Sequence, residues 1–339
     1  VTAQTDFLTY STSYTRDAFG NAIARSSPDS GSWSFTFNQD NLVTAVTDAR
    51  SVASSYTYDA ADRLTAKSIT GYSGENETYT YDDTTAGNKG INRLTSWVDE
   101  SGSGSRIYDN FGNITSETRV IGSKTYTTTY AYDLANRITQ IVYPSGRYVN
   151  YTYDSSGYLT TVSTKPSAGG SVTNLATSIT HKPFGPIASF NFGNSEAHTR
   201  TYDNNYWLST LNTVNGTSYK QKLVFGYDNA GNITSITDNQ DTTRNQTLTV
   251  DSLNRLWTAS GKYGSRTYTY DNNSNRATRV AGATTYAHNY TAGTNKLASY
   301  TDGTTTRNFT YTANGNIATD DRNIIGGGTV VNTYGGRDW

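Results

Sequence analysis

An all-β chain built from antiparallel hairpins is predicted by three observations. A Tyr-Asp motif recurs along the whole length, Thr and Tyr alternate between its copies, and helix signals are nearly absent. The motif reads Tyr-Asp-x-x-(Gly/Asn/Asp)-(Asn/Arg)-(Leu/Ile)-Thr. One copy is Tyr58-Asp59-Ala60-Ala61-Asp62-Arg63-Leu64-Thr65; others run from Tyr132 to Thr139 and from Tyr227 to Thr234. Literal Tyr-Asp starts fall at 58, 81, 108, 132, 153, 202, 227 and 270. Degenerate starts at 16, 37, 181, 250, 290, 311 and 334 complete a series of fifteen. Their mean spacing is about 23 residues, within the range of repeats that pack only on their neighbours.

Each part of the repeat has a physical assignment. In 125–132 and 265–270, Thr and Tyr alternate at period two, which is a strand signal. The motif itself is turn chemistry. Its Asp accepts hydrogen bonds from backbone N–H groups ahead of it, and Gly or Asn at the fifth place tolerates positive φ. The Leu/Ile-Thr pair then opens the next strand. Clusters such as Gly102-Ser103-Gly104 and Asp302-Gly303 are expected to close the other end. One repeat is thus two antiparallel strands of roughly 6–8 residues. Insertions at 84–90, 101–105 and 166–171 are expected to lengthen turns. No composition break divides the chain. The expectation is one continuous repeat region over residues 1–339, a strip that must twist and curl to protect its edges.

Composition narrows the function classes. The chain has 339 residues, net charge −1, 28 Tyr, no Cys and no Met. Without Cys there is no disulfide framework, thiolate metal site or Cys nucleophile. The near-neutral balance leaves no electrostatic footprint for nucleic acid or an anionic membrane. No apolar run approaches the roughly 18 residues of a membrane span. Leu, Ile, Val and Phe together make only about 16% of the chain. A core built on Tyr instead must be polar and hydrogen-bonded. The missing Met points to a processed chain or an excerpt.

The Tyr-Asp-x-x-Gly-Asn-Ile-Thr units resemble the YD, or RHS, repeats of bacterial RHS proteins and the related teneurin and insecticidal toxin-complex shells. Two segments sharpen the likeness: Ser27-Pro28-Asp29-Ser30-Gly31, and Lys182-Pro183-Phe184-Gly185-Pro186 followed by Phe192-Gly193-Asn194. Where the family commonly carries Gly-Asn-Gly, this chain has Gly193-Asn194-Ser195. The resemblance implies a β-strip spiralling into a hollow RHS shell that encloses a C-terminal passenger. A self-cleavage motif of the Asp-Pro type has no match here, so no family active site carries over. The last unit, Tyr334 to Trp339, stops inside the motif, which fits an interior excerpt of an RHS core.

Two strands carry candidate chemistry. His198, Arg200 and Tyr202 share one sheet face by their period of two, and so do Tyr286, His288 and Tyr290. A Tyr or His base beside an Arg that neutralises a uronate carboxylate is what β-elimination of an acidic polysaccharide requires. Such Tyr and Arg also recur in every repeat as cross-strand ladder pairs, and 266–270 shows the pattern without a His. The three His lack metal-ligand spacing, and the recurring Asp residues are turn caps rather than converging Ca²⁺ ligands, so no metal or cofactor is expected.

The leading expectation is a structural shell segment, secreted or at a bacterial cell surface. It would enclose a polypeptide passenger, a polymorphic toxin domain, for delivery with secretion-system components. The alternatives are a polysaccharide lyase or hydrolase acting on carbohydrate, and a filament-forming adhesin joined through open strand edges.

Overall fold

The computed structural model describes residues 2–183, 185–321 and 329–333. Phe184, the last repeat start at Tyr334 and the closing segment to Trp339 lie outside the described residues. The chain forms one long antiparallel sheet of 30 strands. Among the described residues, helical structure is limited to three 3₁₀ turns, Ser73–Glu75, Thr85–Gly87 and Thr242–Arg244. Successive strands pair with their sequence neighbours, for example Ala53–Tyr58 with Leu64–Ile69 and Ile114–Ile121 with Lys124–Tyr132.

Contacts divide the chain into two compact units. The first comprises Val1–Thr80, Ser96–Ser103 and Arg266–Trp339, and the second Tyr81–Thr95 and Gly104–Ser265. The repeat runs through both. The insertion at 84–90 holds the 3₁₀ turn Thr85–Gly87. The expected turn at 101–105 is corrected: Gly102, Ser103, Gly104 and Ser105 belong to the strand Gly102–Tyr108. The reversal is a tighter two-residue turn at Glu100-Ser101, where Asp99 Oδ1 accepts from the Ser101 amide at 2.9 Å. Gly102 leaves it at φ 139°, a conformation open to glycine.

The motif folds as one repeated bond set. Asp59 Oδ1 accepts from the amides of Ala61 (2.9 Å) and Arg63 (3.0 Å), and the Asp62 amide donates to the Asp59 carbonyl. Asp109, Asp133, Asp228 and Asp251 do the same in their own turns. The fifth residue takes positive φ, whether Gly112 (86°), Asp62 (61°), Asn136 (60°) or Tyr206 (62°). Ser195, at the departure from Gly-Asn-Gly, adopts φ 70°.

The sixth residue closes the second carboxylate oxygen. Arg63, Arg137 and Arg255 do so as ion pairs at 2.7 Å, and Asn113 and Asn232 as amide donors at 2.9 Å. These bonds hold the Asp59 and Asp228 carboxyls below the usual carboxylate range, the sixth residue's side chain contributing most.

The eighth residue is a β-bulge. Tyr58 pairs with Leu64 while Thr57 pairs with Ala66, so Thr65 is the extra residue, and its hydroxyl lies 3.0 Å from that of Thr57. The same two-against-one step recurs at Thr44, Thr139, Thr160 and Thr234.

No described side chain is fully buried; the apolar residues that are largely hidden are Trp33, Val46, Ile69, Tyr108, Ile179 and Ala259. Strands carry half-buried Tyr on one face and exposed Thr or Ser on the other, as in Ala53–Tyr58. The motif Tyr supplies the polar core. Its hydroxyl donates to the carbonyl of the seventh residue of the preceding repeat: Tyr58 to Val43 (2.8 Å), Tyr132 to Ile114 (2.8 Å), Tyr153 to Ile138 (2.9 Å) and Tyr227 to Leu208 (2.9 Å); Tyr311 donates to Leu297 (2.8 Å), the eighth residue of a turn one residue longer. Each repeat is thereby fastened to the one before it.

Candidate functional site: a turn seam and two histidine ladders

Within the first unit, the chain meets itself along a seam. The hairpin ends opposite the motif turns, at Asp6, Asp29 and Asp48, face motif turns near the C-terminal end. Asn273 Nδ2 donates to Asp6 Oδ2 (2.6 Å), the Asn295 amide to Asp29 Oδ1 (2.6 Å), and Asn314 Nδ2 to Asp48 Oδ2 (2.7 Å). The sequence separations are 267, 266 and 266, a nearly constant register. Close approach demands glycine here. A Cβ on Gly315 (φ 88°) would lie 2.3 Å from the Asp29 carbonyl oxygen, and one on Gly31 would lie 2.7 Å from that of Ala313. Asp48 and Asn314 are both buried, and Arg50 completes the Asp48 carboxylate at 2.7 Å.

The two candidate ladders fall in different units. In the second unit, strand Ala197–Tyr202 places His198 almost fully buried against Phe190 and Phe192, at ring-centre distances of 4.7 and 5.8 Å. Arg200 Nε donates to His198 Nε2 at 3.1 Å, and Nδ1 lies 2.9 Å from the Thr213 hydroxyl. Arg has no acceptor, so Nε2 must be the bare nitrogen and Nδ1 carries the proton. Burial, and then the Arg200 charge, hold this imidazole below its ordinary pKa. Both ring nitrogens are engaged. Tyr202 donates its hydroxyl to the Ile187 carbonyl at 2.9 Å, the same bond that Tyr58, Tyr132 and Tyr227 make to the preceding repeat.

In the first unit, strand Thr284–Tyr290 carries the second ladder. Tyr290 donates to the Arg276 carbonyl at 3.0 Å, and Tyr286 lies under the Arg279 guanidinium at 4.0 Å. His288 stacks on Tyr300 (5.6 Å, 19°), and its Nδ1 is buried with no hydrogen-bond partner. Burial foremost, then Arg276 and Arg279, hold this imidazole below its ordinary pKa. Arg276 and Arg279 escaped the sequence reading. Their signal was present: Arg276 occupies the motif's seventh place, where Leu64, Ile138 and Ile233 stand in other copies. Among the described residues, no group of three or more His, Asp or Glu is placed to hold a metal ion.

Comparisons with known proteins bear on the whole strip. The Teneurin YD-shell family matches residues 75–184, and the RHS Repeat family matches residues 37–68. Among curated proteins, no sequence matches. The crystal structure of TcdB2-TccC3 is similar at 17% identity with a TM-score of 0.76, covering 91% of this chain and 19% of that one. TcdB2-TccC3 without its hypervariable C-terminal region gives the same identity and coverage at a TM-score of 0.77. The Tc holotoxin pore of Photorhabdus luminescens, with a TccC3 variant, matches at 17% identity and 0.76, covering 91% and 18%. These likenesses establish the fold, and this chain spans about a fifth of the length of those chains.

Proposed function

Because the chain is an RHS/YD-repeat protein related to the teneurin YD-shell and the TcdB2-TccC3 shell, we propose that it is a wall segment of a hollow shell. The shell encloses a polypeptide passenger, a C-terminal toxin domain of the parent protein, until delivery. The observation that carries this reading is the seam. Within the first unit, hairpin ends near the N-terminus bond motif turns near the C-terminal end at a nearly constant separation of about 266 residues, the contact expected between the turn edges of a wound strip. The scarcity of fully hidden side chains supports the same reading, since a wall has two faces and little interior.

Two relatives support the passenger. One similar structure is described as lacking a hypervariable C-terminal region and another as a Tc holotoxin pore. A shell of this kind works by exclusion: its hydrogen-bonded wall separates a harmful domain from the cell that makes it. Export to the cell surface or beyond, with help from secretion machinery, follows from that role. Electron microscopy of the parent protein tests it. The expected image is a closed wall around internal density; a solid body, or a passenger lying outside, overturns it.

A further inference from the structure

The strands from Arg266 to Tyr311 in the first unit put an unusual set of side chains on one sheet face. Cross-strand pairing sets Arg279 opposite both Tyr268 and Tyr286, and His288 opposite Tyr300. The bulge at Tyr270 turns Arg276 onto the same face, where its guanidinium lies 5.3 Å from the Tyr268 ring. Arg279 sits 4.0 Å above Tyr286. Two guanidiniums and an imidazole are gathered among three tyrosine rings.

The carboxylates of this region are committed elsewhere. Asp271 accepts from the amides of Asn273 and Asn275 and from the Asn275 side chain. Asp302 caps its own turn through Thr304 and Thr305. Asp320 is held by Arg307, whose Nε donates at 2.6 Å, and Asp321 accepts from Asn308. Among the described residues, neither Arg276 nor Arg279 forms an ion pair with a carboxylate, and His288 Nδ1 is an unsatisfied buried nitrogen. A cationic cluster with aromatic floors and no counter-ion is arranged for an anion.

We propose that Arg276 and Arg279, framed by Tyr268, Tyr286 and Tyr300 and with the His288 ring beside them, bind the carboxylate side chains of an acidic, extended segment of the enclosed polypeptide. The inference rests on the shell reading for the identity of the occupant. Geometry favours a peptide. Same-face side chains of a strand recur about every 6.7 Å, the spacing at which an extended chain presents alternate residues. An extended acidic segment can thus meet successive cations while its backbone lies across the Tyr rings. The cluster would hold a passenger in an unfolded, extended form.

The test uses this chain and a fluorescein-labelled peptide alternating Glu and Thr, with a Lys-Thr peptide as control. The expected result at 0.15 M salt is saturable binding of the Glu peptide only. The double variant Arg276→Gln/Arg279→Gln weakens it at least tenfold, while Arg244→Gln in the second unit leaves it unchanged. An independent reading avoids any folding defect of the variant. The chain has three His, so the ring signals are separable by NMR. Addition of the Glu peptide to the unmodified chain should raise the apparent pKa of His288 and leave His181 and His198 in place. No binding, equal binding by the double variant, or a stationary His288 signal each overturns the proposal. Tighter binding of oligogalacturonate at the same residues overturns it in favour of a polysaccharide. A filled shell in the parent with no Glu-peptide binding removes this inference alone; Glu-peptide binding with no shell removes the enclosure and keeps the anion site.

Discussion

Motif turns in the first unit near residues 271–275 and 312–315 differ from those in the second unit near 109–113 and 133–137 in what they touch, not in how they fold. Both sets close through the same main-chain reversal, Asp133 with Asn136 in one and Thr312 with Gly315 in the other. Yet Asn314 is buried against Asp48, whereas Phe111, at the same fourth place, is 71% exposed. The turn therefore does not need a partner to form. Docking is written separately, at the fourth motif residue in two of the three seam turns and at the Asn295 amide in the other. The fourth residue is Asn273 or Asn314 where a hairpin end must be met, and Phe111 or Leu253 where none is.

Glycine substitutions separate the two demands with the largest expected effect. Gly20 and Gly315 share positive φ, but a Cβ on Gly20 meets nothing within 4 Å. Gly20→Ala should cost about 1–2 kcal/mol from backbone strain alone. Gly315→Ala adds the collision with Asp29 and should cost roughly 3 kcal/mol or more in urea unfolding. Equal losses would show that the seam contributes nothing to stability.

Next comes the fourth residue itself. Asn314→Ala removes a donor from a buried carboxylate and should cost about 1–3 kcal/mol, towards the lower end because Arg50 remains. Phe111→Ala, at the matching fourth place in the second unit, should stay within about 0.5 kcal/mol of the parent. The pair is read in one set of thermal melts, and a comparable loss in both would erase the distinction.

The smallest effect should be the same in both regions. Tyr132→Phe and Tyr311→Phe each delete the bond to the preceding repeat and should each cost about 1 kcal/mol. A markedly larger loss at Tyr311 would mean that the seam and the strip reinforce each other through that hydroxyl.

Much of this architecture was legible in the residues. The Tyr-Asp spacing and the Thr/Tyr alternation located strands and turns because both are local signals, set by hydrogen bonds within four or five positions. The positive φ at the fifth place was readable for the same reason. The role of the Tyr hydroxyl was not, since its acceptor lies 15 residues back at Val43 and 18 back at Ile114. The seam was illegible altogether: nothing near Asp48 announces Asn314. The glycine-rich stretch at 102–104 misled because glycine serves a turn exit as well as a turn centre. For the ladders, period two located His198 and His288 on their faces but could not tell their surroundings apart. Thr213 and Phe190 come from neighbouring strands, and so do Arg276 and Tyr300.

The seam also constrains evolution by insertion. The hairpin ends at Asp6, Asp29 and Asp48 are 23 and 19 residues apart, and their partners Asn273, Asn295 and Asn314 are 22 and 19 apart. A long step on one side meets a long step on the other, like two gears cut with the same uneven teeth. Lengthening a single hairpin at the seam would leave every local bond intact and still throw all later teeth out of mesh. Growth of such a protein must then proceed by matched edits on both sides, or be confined to loops that engage nothing.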